Sequence, residues 1–302
     1  MALHYRDIVH PEDEKALHQL QNTVGVQMLA EKIVSIQAEE YYYRQHIADD
    51  IKIGPNQFPD IYNIFVPIIE KIGIPEPDIF LTGGVEAYTI GDKKPIIVIG
   101  TAILALPPEE RDAVIAHECG HILCRHCLYK TVLNVLFMML NPQKLTNVGL
   151  GGLAILTGPV LQAAIYAAYY WSRRSEYSAD RVGSLYSSPE ALKRALLRLK
   201  YGSLVDYLDF KVFEEQAQTV NIDTEESALG KIINAMLINS RTHPFYTERT
   251  SQISLWGNSA QFRMVLEKMN NSQAETISTH CPNCKREVAN NWKFCNHCGQ
   301  KL

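Results

Sequence analysis

His117 and His121 lie inside an apolar-periodic run from Ala113 to Leu123 and enclose Glu118, Cys119 and Gly120. The period of the run is that of a helix. Residues four apart on a helix share a face, with Cβ atoms about 5–6 Å apart. Two imidazoles so placed can hold one tetrahedral Zn²⁺, whose Zn–N bonds are about 2.0–2.1 Å. Glu118 is one position along, beside such a metal but turned away from direct ligation, where its carboxylate can take a proton from an activated water. Pro107-Pro108-Glu109-Glu110 opens the run with proline in the first turn and acids at the positive end of the helix dipole. A helix with two half-buried histidines gives the same pattern, so the metal reading needs a third donor.

Two routes to that donor are open. A third histidine ten residues after the first, preceded by a glycine, is one known solution; here those positions hold Cys127 and Cys124. Cys127 could ligate only if the helix breaks without its glycine. The second route is a carboxylate from a later helix. Glu176 and Asp180 are spaced i, i+4 in Glu176-Tyr-Ser-Ala-Asp180, so they share a face. Glu176 would then ligate while Asp180 fixes the tautomer of a ligating imidazole. Against this, the two acids could simply offset Arg173, Arg174 and Arg181.

The rest of the chain reads as α+β and mainly helical. Helical patterns cover Asp13–Gln21 and Val26–Asp50, and Gly54-Pro55 ends this N-terminal segment, residues 1–57. Phe58–Ile72 is another amphipathic helix, closed by Gly73. Short β-rich runs at 78–82, 87–90 and 95–100 follow, separated by Gly83-Gly84 and Gly91, as in a small meander or hairpin. Thr131–Leu140 is apolar, and Val148–Trp171 runs 24 residues without a charge. Its length fits a membrane span, while Gly149, Gly151, Gly152, Gly158 and Pro159 interrupt it and Gln162 lies inside it, as fits a helical hairpin buried in protein. Ser188-Pro189-Glu190 caps a helix ending near Gly202, a further capped helix starts at Thr224, and Arg241–Arg249 leads into a last helix that fades into a polar linker from Asn270 to His280. These divisions give a domain at 58–270, containing the apolar hairpin 131–171, then a linker at 271–280.

The last segment, 281–302, is a separate module. Cys281-Pro-Asn-Cys284 and Cys295-Asn-His-Cys298 are two Cys-x-x-Cys knuckles separated by ten residues. Four thiolates can enclose a structural Zn²⁺ with Zn–S near 2.3 Å and no open position. A piece this short needs such a staple to hold a fold. The remaining cysteines, Cys119, Cys124 and Cys127, crowd the active helix. Seven cysteines, with no apolar signal segment at the start of the sequence, point to reduced thiols and a cytoplasmic setting. The net charge of −4 supplies no global field for nucleic acid, so none is expected as a partner.

Taken together, His117-Glu118-Cys119-Gly120-His121, Glu176-Tyr-Ser-Ala-Asp180 and His243-Pro244 with Arg249 resemble the HtpX-like heat-shock protease and CAAX prenyl protease family of gluzincins. Ile96–Gly100, Leu106–Ala116, His126 and Ser175–Gly183 extend the likeness over about residues 55–255. The resemblance implies a mainly helical peptidase domain with a small sheet beside the active helix and an apolar helical hairpin. It also implies Glu176 as third zinc ligand, Asp180 behind it, and His243 and Arg249 reaching into the cleft to stabilise the oxyanion. The implied function is a zinc-dependent endopeptidase acting on protein or peptide substrates, with Glu118 as general base. Its two zinc ions would be one catalytic and one structural. The hairpin is membrane-embedded in many such relatives, which implies membrane association with the active site on the cytoplasmic side. Where that family often has Asn-Ala before the substrate edge, this chain has Glu86-Ala87. The reading from a different class is a non-catalytic zinc adaptor that recruits partners through the C-terminal module.

Overall fold

A computed structural model of the chain describes residues 3–35, 38–140, 158–225, 241–274, 279–288, 298, 300 and 301. Cys295 and the 141–157 part of the apolar hairpin lie outside the described residues. Four N-terminal helices, α1 (Tyr5–Ile8), α2 (Pro11–Gln21), α3 (Val26–Ser35) and α4 (Ala38–Asp49), precede β1 (Ile51–Ile53) and α5 (Pro59–Ile72). Strands β2 (Asp78–Thr82), β3 (Ala87–Ile90) and β4 (Ile96–Gly100) follow, then α6 (Thr101–Leu104), α7 (Pro108–Leu123) and α8 (Cys127–Met139). After residue 157 come α9 (Gly158–Tyr186), α10 (Pro189–Tyr201), a 3₁₀ turn, α11 (Phe210–Glu225), α12 (Tyr246–Gly257) and α13 (Ala260–Ala274). A two-stranded hairpin, β5 (Thr279–His280) with β6 (Glu287–Val288), starts the C-terminal module.

β4 is buried at every position, and its alternate residues serve two cores. Ile97 and Ile99 join Phe65, Ile68 and Ile72 of α5 and Ile115 and Cys119 of α7. Ile96 and Val98 join Phe80, Ile90 and Tyr42 of α4 on the other face. A strand covered on both faces reads as a continuous apolar run, as Ile-Ile-Val-Ile does. The strand order is β1-β2-β4-β3. β3 and β4 form an antiparallel hairpin turned through Gly91 at φ +114°, but β2 pairs with β4 in parallel. The expected meander is therefore a mixed sheet. Its chain returns through Gly83-Gly84, and the Gly84 and Glu86 carbonyls accept from Ala102 and Gly100.

α7 packs most extensively against α9, and glycines set that contact. A Cβ on Gly120 would stand 3.0 Å from the Ala179 Cα and from Val182, and one on Gly183 would stand 2.8 Å from the Ala113 carbonyl oxygen. Every residue of α7 from Ala113 to His121 is buried. Cys119 belongs to the core, on the side away from the two histidines. The helix ends with Arg125 in left-handed conformation at φ +61°, and α8 leaves at 92° to it.

A further core joins α2 and α3 to α8 and α9, through Leu20, Leu29 and Ile33 against Val132, Leu136, Ile165 and Trp171. The apolar flanks of the expected hairpin thus meet the N-terminal helices, while Leu140, Val160 and Tyr166 remain exposed. Among the described residues no single helix is long and apolar enough to cross a membrane, and the bent pair α7–α8 meets that test by length and composition.

The helix expected from Thr224 would run over residues 226–240, outside the described residues. Three features differ from the sequence reading. A helix the sequence reading does not include, α11, begins at Phe210, where Asp209 Oδ1 accepts from the amides of Lys211 and Val212 as an N-cap. The last helix is two, with Ser259 capping α13 through the Phe262 amide. α13 continues to Ala274, anchored on the core by Val265 and Met269.

Candidate metal centre and active-site cleft

The close approach of α7 and α9 brings the histidine face of one against the acidic face of the other. His117 Nε2 lies 3.5 Å from Glu176 Oε2, and His121 Nε2 lies 3.4 Å from Glu176 Oε1. One ligand atom from each of the three residues lies within 4.8 Å of the others, and all three residues are buried. Cys127 is not part of this group. The helix does break before it without a glycine, but its Sγ points to the His121 carbonyl at 3.9 Å, and burial pushes the thiol up to about 12.

The donor set fits a catalytic Zn²⁺, with two imidazole nitrogens and one carboxylate and a fourth position left open. Glu176 Oε2 is fully buried and makes no hydrogen bond of good geometry. Burial alone would raise the Glu176 pKa, yet Lys130, His243 and Arg249 hold it well below the usual carboxylate range. Burial, with Lys130, takes His121 well below its ordinary value, which leaves the neutral imidazole a metal requires. For His117 burial acts in the same direction, but the carboxylates of Asp180 and Glu176 outweigh it and lift the ring to about 9.

Both imidazoles are held from behind. Asp180 Oδ1 lies 2.9 Å from His117 Nδ1. Arg249 donates to both oxygens of Asp180 at 2.7 Å, and its Nη2 is 3.3 Å from Glu176 Oε2. His121 Nδ1 is 2.9 Å from His126 Nδ1, and His126 Nε2 is 2.9 Å from Asp13 Oδ2. The sequence reading did not single out Asp13. Its only local signal is a polar residue on the α2 face that carries Ala16 and Leu20, and it is 1% exposed.

Glu118 faces a cleft of about 520 Å³, lined among others by Ala87–Ile90, Lys130, Phe137, His243 and, from α4, Tyr42 and His46. Its Oε2 accepts a 2.7 Å hydrogen bond from Thr89 on β3. Among the described residues no strand pairs with the outer edge of β3, which runs along this cleft. His243 Nδ1 lies 2.9 Å from Glu176 Oε2 with 58% of its side chain exposed. His243 therefore opens on the cleft, whereas Arg249 is buried behind the carboxylates. Lys130, also not anticipated, donates to Glu176 Oε1 at 2.9 Å.

In the C-terminal module Cys281, Cys284 and Cys298 converge, with one sulfur of each within 4.8 Å of the others. The Cys281 amide donates to the Arg286 carbonyl across the β5–β6 turn. This cluster is compatible with a zinc ribbon.

A buried His-His-Glu group on two crossing helices, a glutamate beside it and an open cleft with a free strand edge define a metallohydrolase of the protease kind. Comparison with known proteins gives the family: residues 55–257 match Peptidase family M48, and the chain belongs to it. The chain is similar to the plastoglobule-localized metallopeptidase 48 of Arabidopsis thaliana, at 27% identity over 87% of this chain and 76% of that protein. It is also similar to the protease HtpX homologs of Trichormus variabilis and Persephonella marina. Identity is 28% over 49% of this chain and 59% of the relative for the first, and 26% over 67% and 76% for the second. The chain thus spans less than two thirds of the length of some of these relatives. No solved structure matches it.

Proposed function

We propose that this chain is a zinc-dependent endopeptidase that takes a protein segment in extended form along the outer edge of β3 and hydrolyses a peptide bond above His117, His121 and Glu176. The observation that carries this reading is Glu118, adjacent to the metal-ligand group, anchored by Thr89 and facing the cleft. Zinc held there would act as a Lewis acid on the scissile carbonyl and lower the pKa of water toward about 7. Glu118 accepts the proton of the attacking water and delivers it to the leaving amine as the C–N bond breaks. A backbone strand added to β3 fixes the scissile bond in register, since edge amides and carbonyls pair independently of side-chain identity.

His243 is the group placed to oppose charge on the tetrahedral oxygen, an interaction commonly worth about 2.7–4 kcal/mol. The guanidinium of Arg249 is committed to Asp180 and Glu176, so its role is to hold the carboxylates that hold the metal. The C-terminal cysteines, Cys295 included, carry a second, structural zinc and form a contact module for partners or substrates. Segment 131–171 associates with a membrane, supported by the uncharged run 148–171 and by exposed Leu140, Val160 and Tyr166. Recovery of the expressed chain in the soluble fraction without carbonate or detergent would count against that association. A non-catalytic adaptor has no use for a base at Glu118 or for a cleft beside it.

The test is Glu118→Gln, assayed on an unfolded protein substrate with zinc content measured in parallel. Hydrolysis should fall by at least about a thousandfold with zinc retained, as expected when a positioned general base is lost. Unchanged cleavage would remove Glu118 from the mechanism.

A further inference from the structure

We propose that Asp13, on helix α2 and outside the family-matched residues 55–257, is a positioning residue for the zinc ligand His121, acting through His126. The inference rests on the metal-site reading above, and it concerns the ligand that Asp180 does not reach.

A buried row of polar groups fixes its own donors and acceptors. Asp13, His126 and His121 are each 1% exposed, so no bulk water can satisfy their polar atoms. A carboxylate only accepts hydrogen bonds. Asp13 Oδ2 accepts from the Ser178 hydroxyl at 2.6 Å, and Ser178 is itself fixed by the His10 amide at 2.9 Å. The same oxygen lies 2.9 Å from His126 Nε2, which must therefore be the protonated nitrogen of that ring. In the neutral ring His126 Nδ1 is then an acceptor, and it lies 2.9 Å from His121 Nδ1. His121 must donate there, which places its lone pair on Nε2, the nitrogen that faces Glu176. One carboxylate at the end of the row thus selects the tautomer of two imidazoles and aims the second at the metal.

The two zinc-binding histidines are consequently held by the same device in two lengths. Asp180 grips His117 directly, and Asp13 grips His121 across one intervening ring. The carboxylate that anchors the longer device is 113 residues away from His126 in the chain. It is carried in by α2, which lies along α9, and by Arg181, which donates to the Ile8 and Val9 carbonyls. The N-terminal segment is on this account a working part of the metal centre.

The test is Co²⁺ titration of the full-length, metal-stripped chain, reading the visible bands of a nitrogen and oxygen site apart from those of a thiolate site. Asp13→Asn keeps the side-chain volume but lets either face of the amide meet His126, so the tautomer is no longer imposed. Its Co²⁺ affinity should fall about 10–100-fold, the usual loss when the group behind a ligating histidine is removed. Melting of the metal-free variants shows whether folding has changed. The decisive arm is His126→Asn, whose amide oxygen replaces Nδ1 as acceptor for His121 and has no link to Asp13. In that background Asp13→Asn should alter affinity by no more than about twofold. An unchanged affinity for Asp13→Asn alone, or the same loss in both backgrounds, overturns the proposal. Absence of the nitrogen and oxygen bands from the unsubstituted chain would instead sink the metal site itself, and neither result depends on peptide hydrolysis.

Discussion

The Thr89 hydroxyl is buried and donates to the one carboxylate oxygen of Glu118 that lies against β3. In the proposed mechanism Glu118 swings between water and leaving amine, and Thr89 would give it a fixed pivot from the strand that also lines the cleft. Thr89→Val keeps the shape and removes the donor, and hydrogen bonds to a charged group contribute about 1.5–3 kcal/mol. We expect kcat to fall by roughly tenfold or more with KM nearly unchanged, because the β3 edge and the metal ligands stay in place. Steady-state kinetics on a short peptide substrate checks this, and an unaltered kcat would show that Glu118 needs no such anchor. Arg249 makes the complementary point. The family resemblance implies Arg249 in the cleft as an oxyanion partner, but its two-pronged contact with Asp180 uses the fork geometry that guanidinium offers carboxylates. Its buried setting supports positioning, and leaves the cleft to His243.

At the scale of elements, α7 and α9 form the site because they approach closely, and they approach closely because Gly120 and Gly183 lack side chains. Gly183→Ala would put a Cβ 2.8 Å from the Ala113 carbonyl oxygen, and backbone cannot step aside as a flexible side chain can. Overpacking of this kind costs about 1–3 kcal/mol. A lower urea midpoint and weaker metal retention are the expected outcomes; a variant as stable as the parent would mean that the helices part without penalty. These two helices were also the most legible elements in the sequence. Their ligands recur at four-residue spacing inside apolar-periodic runs, and periodicity is what a helix imprints. The sheet was legible as strands but not as a topology, since β2 pairing in parallel with β4 leaves no periodic mark. α11 escaped notice because its start signal is one capping residue, Asp209, in a polar stretch. Asp13 and Lys130 could not be read at all: each meets the site through long-range packing, and neither belongs to a motif.

Across the whole molecule, the candidate metal centre is the place where separate parts of the chain meet. The matched region supplies His117, Glu118, His121, Glu176, Asp180 and Arg249, and the N-terminal helices supply Asp13 and one wall of the cleft through Tyr42 and His46. The same N-terminal helices cover the apolar faces of α8 and the described part of α9. The proposed catalysis depends above all on Glu176 of α9 completing the ligand set begun by two imidazoles of α7. Anomalous diffraction at the zinc edge from crystals of the full-length chain tests this most directly. We expect a peak bonded to His117 Nε2, His121 Nε2 and a Glu176 oxygen; a peak bonded to the Cys127 sulfur instead of Glu176, or no peak between the two histidines, would contradict it.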